Sequence, residues 1–244
     1  MTQNIYDDQA FFEGYAQLSR SVHGLDGAPE WPALKAMLPD VQGAKVVDLG
    51  CGYGWFCRSV REQGAAHVLG LDVSEKMLNK ARSMTTDSAI EYRREDLEHL
   101  QLPPLTYDLV YSSLTLHYLK NLPELFNQVY QSLVPGGRFV FSAEHPIFTA
   151  PAQPGWLHGK NGEKTWPVDG YQREGERITN WFAEGVIKQH RTLSTYINAL
   201  ISSGLVITHL DEWGPSAEQL AAIPALHEET ERPMMFLLSA QKPR

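Results

Sequence analysis

The sequence predicts an α/β protein built on a parallel sheet with helices on both faces. Three observations lead there. From residue 44 onward, strand-length apolar runs alternate with helical patterns five times; a glycine-rich turn follows the first run; and the second and third runs each lead into an acid. Upstream, residues 7–20 carry an amphipathic pattern, expected as one helix lying outside the sheet, and the loop "GLDGAPEWP" (24–32) connects it to the fold. "AKVVDLG" (44–50) is a short strand that stops at a glycine, and "WFCRSVREQG" (55–64) is a helix closed by Gly64. "HVLGLDVS" (67–74) repeats the pattern, with Ser74 placed to cap the helix "EKMLNKARSM". Three more strands follow in "AIEYRRED" (89–96), "YDLVYSS" (107–113) and "GRFVFSAE" (137–144). Between the last two, "NLPELFNQVYQSLVPGG" reads as an amphipathic helix ending at Pro135-Gly136-Gly137.

Periodicity weakens after Glu144. Residues 146–190 are rich in proline, glycine and tryptophan, with a short hairpin expected in "GYQREGERITNWF". A segment this long without regular structure usually binds or covers something, so it is read as an insertion over the active face. Alternation then resumes with a helix at 192–205 and strands at 206–213 and 233–242. The expected organisation is one domain over 1–244: a helical cap (1–43), a core (44–144), an insertion or lid (145–191), and a closing helix with two strands (192–244).

Composition narrows the partners. Lys and Arg number 21 against 29 Asp and Glu, a formal charge of -8, and no basic block is dense enough to follow a phosphate backbone. No nucleic-acid partner is expected. The opening residues lack a basic stretch followed by an apolar core, and no run of about 18 apolar residues occurs. A cytoplasmic protein without a membrane partner is expected. Cys51 and Cys57 match no zinc or redox spacing and are read as reduced structural residues, and no metal site is expected.

The glycine turn points to the ligand. In an open parallel sheet, ligands sit beyond the carboxyl ends of the strands, where the first strand hands over to its helix. Gly50, Gly52 and Gly54 occupy that turn. Asp72, at the end of the second strand, is placed to accept hydrogen bonds from a ribose diol, although an acid ahead of Ser74 also serves as a helix cap. Asp96, ending the third strand, lies beside the same pocket and can accept from an adenine amino group. A dinucleotide fingerprint would place a glycine where Trp55 stands, so a pyrophosphate is the poorer fit.

The G-x-G-x-G turn preceded by "VVDL" resembles motif I of the class I S-adenosylmethionine-dependent methyltransferases. "LDVSEKML", "REDLEHL", "YDLVYSSLTLHYL" and "LVPGGRFVFS" resemble that family's second to fifth motifs in order, over residues 44–144. The resemblance is to the small-molecule, type 11-like branch. It implies a Rossmann-like seven-stranded sheet with an antiparallel last strand, and S-adenosyl-L-methionine as cofactor. It further implies that Gly50, Gly52 and the backbone at Cys51 line the methionine part, with Asp48 orienting the loop. Asp72 would hold the ribose, and Val73 and Met77 would pack on the adenine, Met77 being equally readable as a core contact. Asp96 and the Leu97 backbone would read the adenine edge, while Ser112 and Ser113 would lie under the sulfonium and methionine segment. A cap such as residues 7–20 often covers the cofactor in such enzymes. Tyr15 there is placed to attract the sulfonium and Arg20 to meet the carboxylate, with a packing stripe and a solvated arginine as the alternative.

The reaction implied is an in-line methyl transfer to an O, N or C atom of a small organic acceptor, driven largely by positioning and exclusion of water. Three histidines are candidates for handling an acceptor proton. His117 follows the fourth strand, His145 the fifth, and His190 leads out of the insertion; each is also readable as structural. Trp156, Trp166, Tyr171 and Trp181 form either an acceptor wall or a satellite core. "SSLT" stands where many nucleic-acid and protein amino-methyltransferases carry an Asn-Pro-Pro-Tyr type tetrapeptide. Two rival functions are a nicotinamide-dependent oxidoreductase and a non-catalytic cofactor-binding sensor or scaffold.

Overall fold

A computed structural model describes residues 3–244. Along the chain, a 3-10 turn at Ile5–Asp7 leads to α1 (Gln9–Tyr15) and α2 (Ser19–Val22), then a second 3-10 turn at Gly24–Gly27 and α3 (Trp31–Met37). The alternating core follows: β1 (Lys45–Leu49), α4 (Trp55–Glu62), β2 (His67–Asp72), α5 (Glu75–Ser83), β3 (Ile90–Arg94), β4 (Tyr107–Ser113), α6 (Leu122–Ser132) and β5 (Leu133–Glu144). Beyond it come α7 (Pro146–Thr149), the short strands β6 (Leu157–His158) and β7 (Lys164–Thr165), and the hairpin β8 (Gly175–Trp181) with β9 (Ala183–His190). The chain closes with α8 (Leu193–Ser202), β10 (Val206–Glu212), α9 (Ala217–Ala222), a 3-10 segment at Pro224–Thr230 and β11 (Met235–Gln241).

Seven strands form one sheet in the order β10-β11-β5-β4-β1-β2-β3. β1 pairs in parallel with β2 and β4, β2 with β3, and β4 with β5, whereas β11 runs antiparallel to both β5 and β10. The expected sheet with an antiparallel last strand is therefore what forms. Strand alternation builds two cores: Val47 and Leu49 face α6 and α8 with Phe126, Phe139 and Tyr196, while Val46 faces α3 and α4 with Trp31, Phe56 and Val60. Chain order reverses between β1 and β4, and this crevice is where ligands gather in doubly wound sheets.

Three local expectations change. Residues 7–20 are not one helix: Asp8 caps α1 by accepting from the Phe11 N–H, and extended Leu18 separates α1 from α2. The helix before β5 stops at Ser132, and the Pro-Gly-Gly stretch lies within β5, where the Gly136 N–H and the Gly137 carbonyl pair with Lys242. The expected short hairpin is longer and shifted, turning at Phe182 and running on to His190. Among the described residues, no helix is long and apolar enough to cross a membrane.

Candidate active site

β1 ends in a turn whose left-handed backbone favours glycine. Gly50 has φ +80°, and a Cβ there would lie 2.1 Å from Thr115 Oγ1. Gly52 has φ +51°, but a Cβ there would meet nothing within 4 Å, because the residue faces open space. That space is a cavity of about 720 Å³ over the carboxyl ends of β1, β2, β4 and β5.

The acids expected at the strand ends converge on it. Asp72 accepts from the Gly52 N–H through Oδ2 and from the Ser74 N–H through Oδ1, both at 2.9 Å, so it ties the glycine turn to the start of α5. Burial raises its pKa to about 6 against those two hydrogen bonds. Asp48 is more deeply enclosed, and burial lifts it to about 7, opposed by the Cys57 thiol that donates to Oδ2 at 3.4 Å. Asp96 and Leu97 border the same cavity below β3, with Asp96 also accepting from the Glu98 N–H. Cys51, Val73 and Met77 line it between these acids.

The amino-terminal segment closes one side. Tyr6 packs edge-on against Tyr15 and Tyr118, and its hydroxyl lies 3.3 Å from that of Tyr118. Asp7 accepts from the Ser74 hydroxyl and the Lys76 N–H, fixing the segment over the start of α5. Gln3 exchanges hydrogen bonds with Gly185 and Ile187, fixing it to the β8–β9 hairpin. Tyr15 and Arg20 both line the cavity. Arg20 forms a two-point pair with Glu30, at 3.0 and 3.2 Å, and Glu30 is only 1% exposed. This buried acid was not singled out in the sequence, where it stands in what reads as a loop.

On the other side lie the ends of β4 and β5 and the hairpin. Ser113 lines the cavity and shares a 3.2 Å hydrogen bond with Ser142. Ser112 is corrected: strand alternation turns it away, and its hydroxyl donates to the Leu49 carbonyl. His117 does face the cavity, beside Glu144. Its Nδ1 accepts from the Glu144 N–H at 3.4 Å, leaving the Nε2 proton toward Glu144 Oε1, 3.8 Å away. Burial pushes the ring down to about 4, so it is neutral at pH 7.

Glu144 itself, with Lys188 of β9, is the constellation that sequence spacing missed, the two being brought together only by the hairpin's return. Lys188 Nζ donates to Glu144 Oε1 and lies 5.2 Å from the centre of the Trp181 ring. Burial works against the Glu144 carboxylate, but the paired Lys188 ammonium holds it below the usual carboxylate range.

Two expected proton carriers are corrected. His145 is outside the cavity: its Nδ1 accepts from the Ile147 N–H as the cap of α7, and its Nε2 meets Glu212 of β10 at 2.7 Å. His190 is fully enclosed at the end of β9, bonded at 2.8 Å to the Thr149 hydroxyl and the Tyr171 carbonyl. With both ring nitrogens committed, neither is placed to serve an acceptor. Of the insertion's aromatics, Trp166 and Trp181 line the cavity, whereas Trp156 packs on Arg232 and Tyr171 on His190.

Comparison with known proteins agrees with this geometry. Residues 47–141 match the type 11 methyltransferase domain. An S-adenosylmethionine-dependent methyltransferase from Mesorhizobium loti, solved as a crystal structure, is 56% identical, with a TM-score of 0.87 over 90% of this chain and 100% of that one. An uncharacterized protein of Haemophilus influenzae is 34% identical over 98% of this chain and 97% of its own length. A malonyl-[acyl-carrier protein] O-methyltransferase of Erwinia billingiae is 37% identical over 101 residues, which span 41% of this chain and 39% of that protein. The chain belongs to the class I S-adenosylmethionine-dependent methyltransferases, in the type 11 branch, and S-adenosylmethionine is its cofactor.

Proposed function

We propose that this enzyme moves a methyl group from S-adenosylmethionine to an oxygen, nitrogen or carbon atom of a small organic molecule by in-line displacement. The observation that carries this reading is the continuity of one cavity from the glycine turn and the strand-end acids to the aromatic pocket under the hairpin. Its volume lies within the range of small-ligand sites.

The residues present fit the cofactor. The open space at Gly52 gives a ligand direct access to backbone. Each Asp72 oxygen accepts one backbone N–H and keeps further acceptor capacity for a ribose hydroxyl. Arg20 has five donors, two of them engaged by Glu30, which leaves others to meet a carboxylate. Val73, Met77 and Leu97 supply an apolar surface for the adenine, and Asp96 an acceptor for its amino group. Ser113 and the backbone at Cys51 would border the methionine part, with Tyr15 presenting its ring to the sulfonium.

When bound, S-adenosylmethionine supplies a methyl group already activated by the sulfonium charge. The chain's own contribution is positional: the cap and hairpin shield the cavity from water, and the strand ends set the acceptor's approach. His117 serves as a support rather than a base, because its lone pair is occupied by the Glu144 N–H.

Calorimetric titration with S-adenosylhomocysteine tests the cofactor assignment. Wild-type protein is expected to bind at one site, and Asp72→Ala to bind at least tenfold more weakly, since a charge-assisted hydrogen bond is worth roughly 1.5–3 kcal/mol. Wild-type affinity in a folded Asp72→Ala variant would remove the ribose role. Methyl transfer to any small acceptor would exclude the scaffold alternative.

A further inference from the structure

Resting on the reading above, we propose that Glu144 docks the methyl acceptor, and that the acceptor presents a neutral hydroxyl on an aromatic or similarly apolar body. Glu144 has two oxygens with different surroundings. Oε1 meets Lys188 and faces His117, whereas Oε2 is buried and has no hydrogen-bond partner. An ionised carboxylate oxygen enclosed without a donor is costly, and a ligand donor in the same cavity relieves that cost.

Charge selects among donors. Lys188 already balances Glu144, so an ammonium group would add an uncompensated positive charge to an enclosed space. The ring face that would attract it is also in use, since Lys188 lies over Trp181. A carboxylate would set like charge against Oε2. A neutral O–H satisfies the oxygen and leaves the pair balanced. The walls agree: Tyr118, packed on His117, and Trp181, under Lys188, border this part of the cavity, Phe148 and Trp166 line the same cavity, and these rings suit a flat apolar body.

His117 has the supporting role. Its ring receives the Glu144 backbone N–H and turns its own N–H toward Oε1, on which Lys188 also bears, so both positive and polar partners lie on the Oε1 side and Oε2 is left unengaged. It is a positioning residue, and Glu144 is the contact.

The test uses the full protein saturated with S-adenosylhomocysteine and four probes at pH 7.5: 4-methylphenol, 4-methylanisole, benzylamine and 4-methylbenzoate. Calorimetry is expected to show the phenol binding at least tenfold more tightly than the other three. Glu144→Gln should cut the preference for phenol over its ether at least fivefold while leaving S-adenosylhomocysteine affinity within twofold of wild type. Lys188→Met uncovers the carboxylate, so benzylamine should gain at least fivefold relative to the phenol. Equal binding of phenol and ether, tightest binding of the benzoate, no saturable binding of the phenol, or an unchanged preference in both variants overturns the proposal. Failure of S-adenosylhomocysteine to bind wild-type protein would overturn the cofactor site with it, whereas a bound cofactor product with indifferent probes overturns the acceptor assignment alone.

Discussion

Gly50 and Gly52 stand two residues apart in one turn, share positive φ, and differ in what lies where a side chain would begin. At Gly50 a Cβ would overlap Thr115, while at Gly52 it would enter the cavity. Alanine at either position carries the left-handed penalty of roughly 1–2 kcal/mol. Gly50→Ala adds overpacking of about 1–3 kcal/mol. Denaturant unfolding of the ligand-free protein should therefore show Gly50→Ala as the less stable variant. Gly52→Ala should remain closer to wild type in stability yet lose at least tenfold in S-adenosylhomocysteine affinity. Equal stability losses with equal binding losses would remove the distinction between a packing glycine and a ligand-facing one. His117 gives a second prediction at this scale. Its ring nitrogens, followed by NMR of histidine-labelled protein, should report the Nε2–H tautomer from pH 8 down to about 5, with protonation only near 4. A transition between pH 6 and 7 would contradict the buried, neutral ring.

Among the elements, the cap is tied to the start of α5 by two hydrogen bonds to Asp7. Hydrogen bonds from Ser74 and the Lys76 backbone hold its carboxyl below the ordinary range despite partial burial. Asp7→Ala should release the amino-terminal segment and, through Gln3, loosen β9. Hydrogen exchange over residues 3–15 and 175–190 should accelerate several-fold while the sheet strands stay protected. Unchanged exchange in the hairpin would show that the two covers are independent. These same elements were the least legible in the sequence. The seven sheet strands follow from the alternation of apolar runs with helical patterns, although the edge strands β3 and β10 are only partly buried. The break at Leu18 follows instead from tertiary packing, and the hairpin reversal at Phe182 uses a left-handed non-glycine residue, with φ +56°, that no turn signal marks. α9 did carry a signal, the Ser216–Gln219 capping box. The strand-end acids were legible because strand order places them at one crevice. Glu144–Lys188 was not, because its partners lie 44 residues apart and meet only through the hairpin. His145 and His190 misled for the same reason: their type suggests chemistry, and only their partners show that both ring nitrogens are occupied.

Across the whole molecule, the cavity's buried acids couple ligand readiness to fold stability through pH. Asp48 and Asp72 have folded values of about 7 and about 6, above the ordinary 3.8. The fold therefore binds more protons than the unfolded chain between about pH 4 and 7, and these groups reduce stability as pH rises through that window. His117 acts in the opposite sense. Its folded value of about 4 lies below the ordinary 6.5, so stability it contributes at neutral pH is lost as pH falls from about 6.5 to 4. The opposing slopes flatten the wild-type profile, and substitution exposes one of them. Asp48→Asn keeps the shape and removes the cost of ionising a carboxyl that is 2% exposed. Its stability relative to wild type should be near zero at pH 4, increase through pH 5 and 6, and level off above about 7, with a ceiling of roughly 4 kcal/mol. Urea unfolding of both proteins without ligand at pH 4.5, 6 and 8 measures this. A difference that is constant across the three pH values would mean that Asp48 ionises normally inside the fold; one that shrinks toward pH 8 would mean that the folded state prefers the charged form.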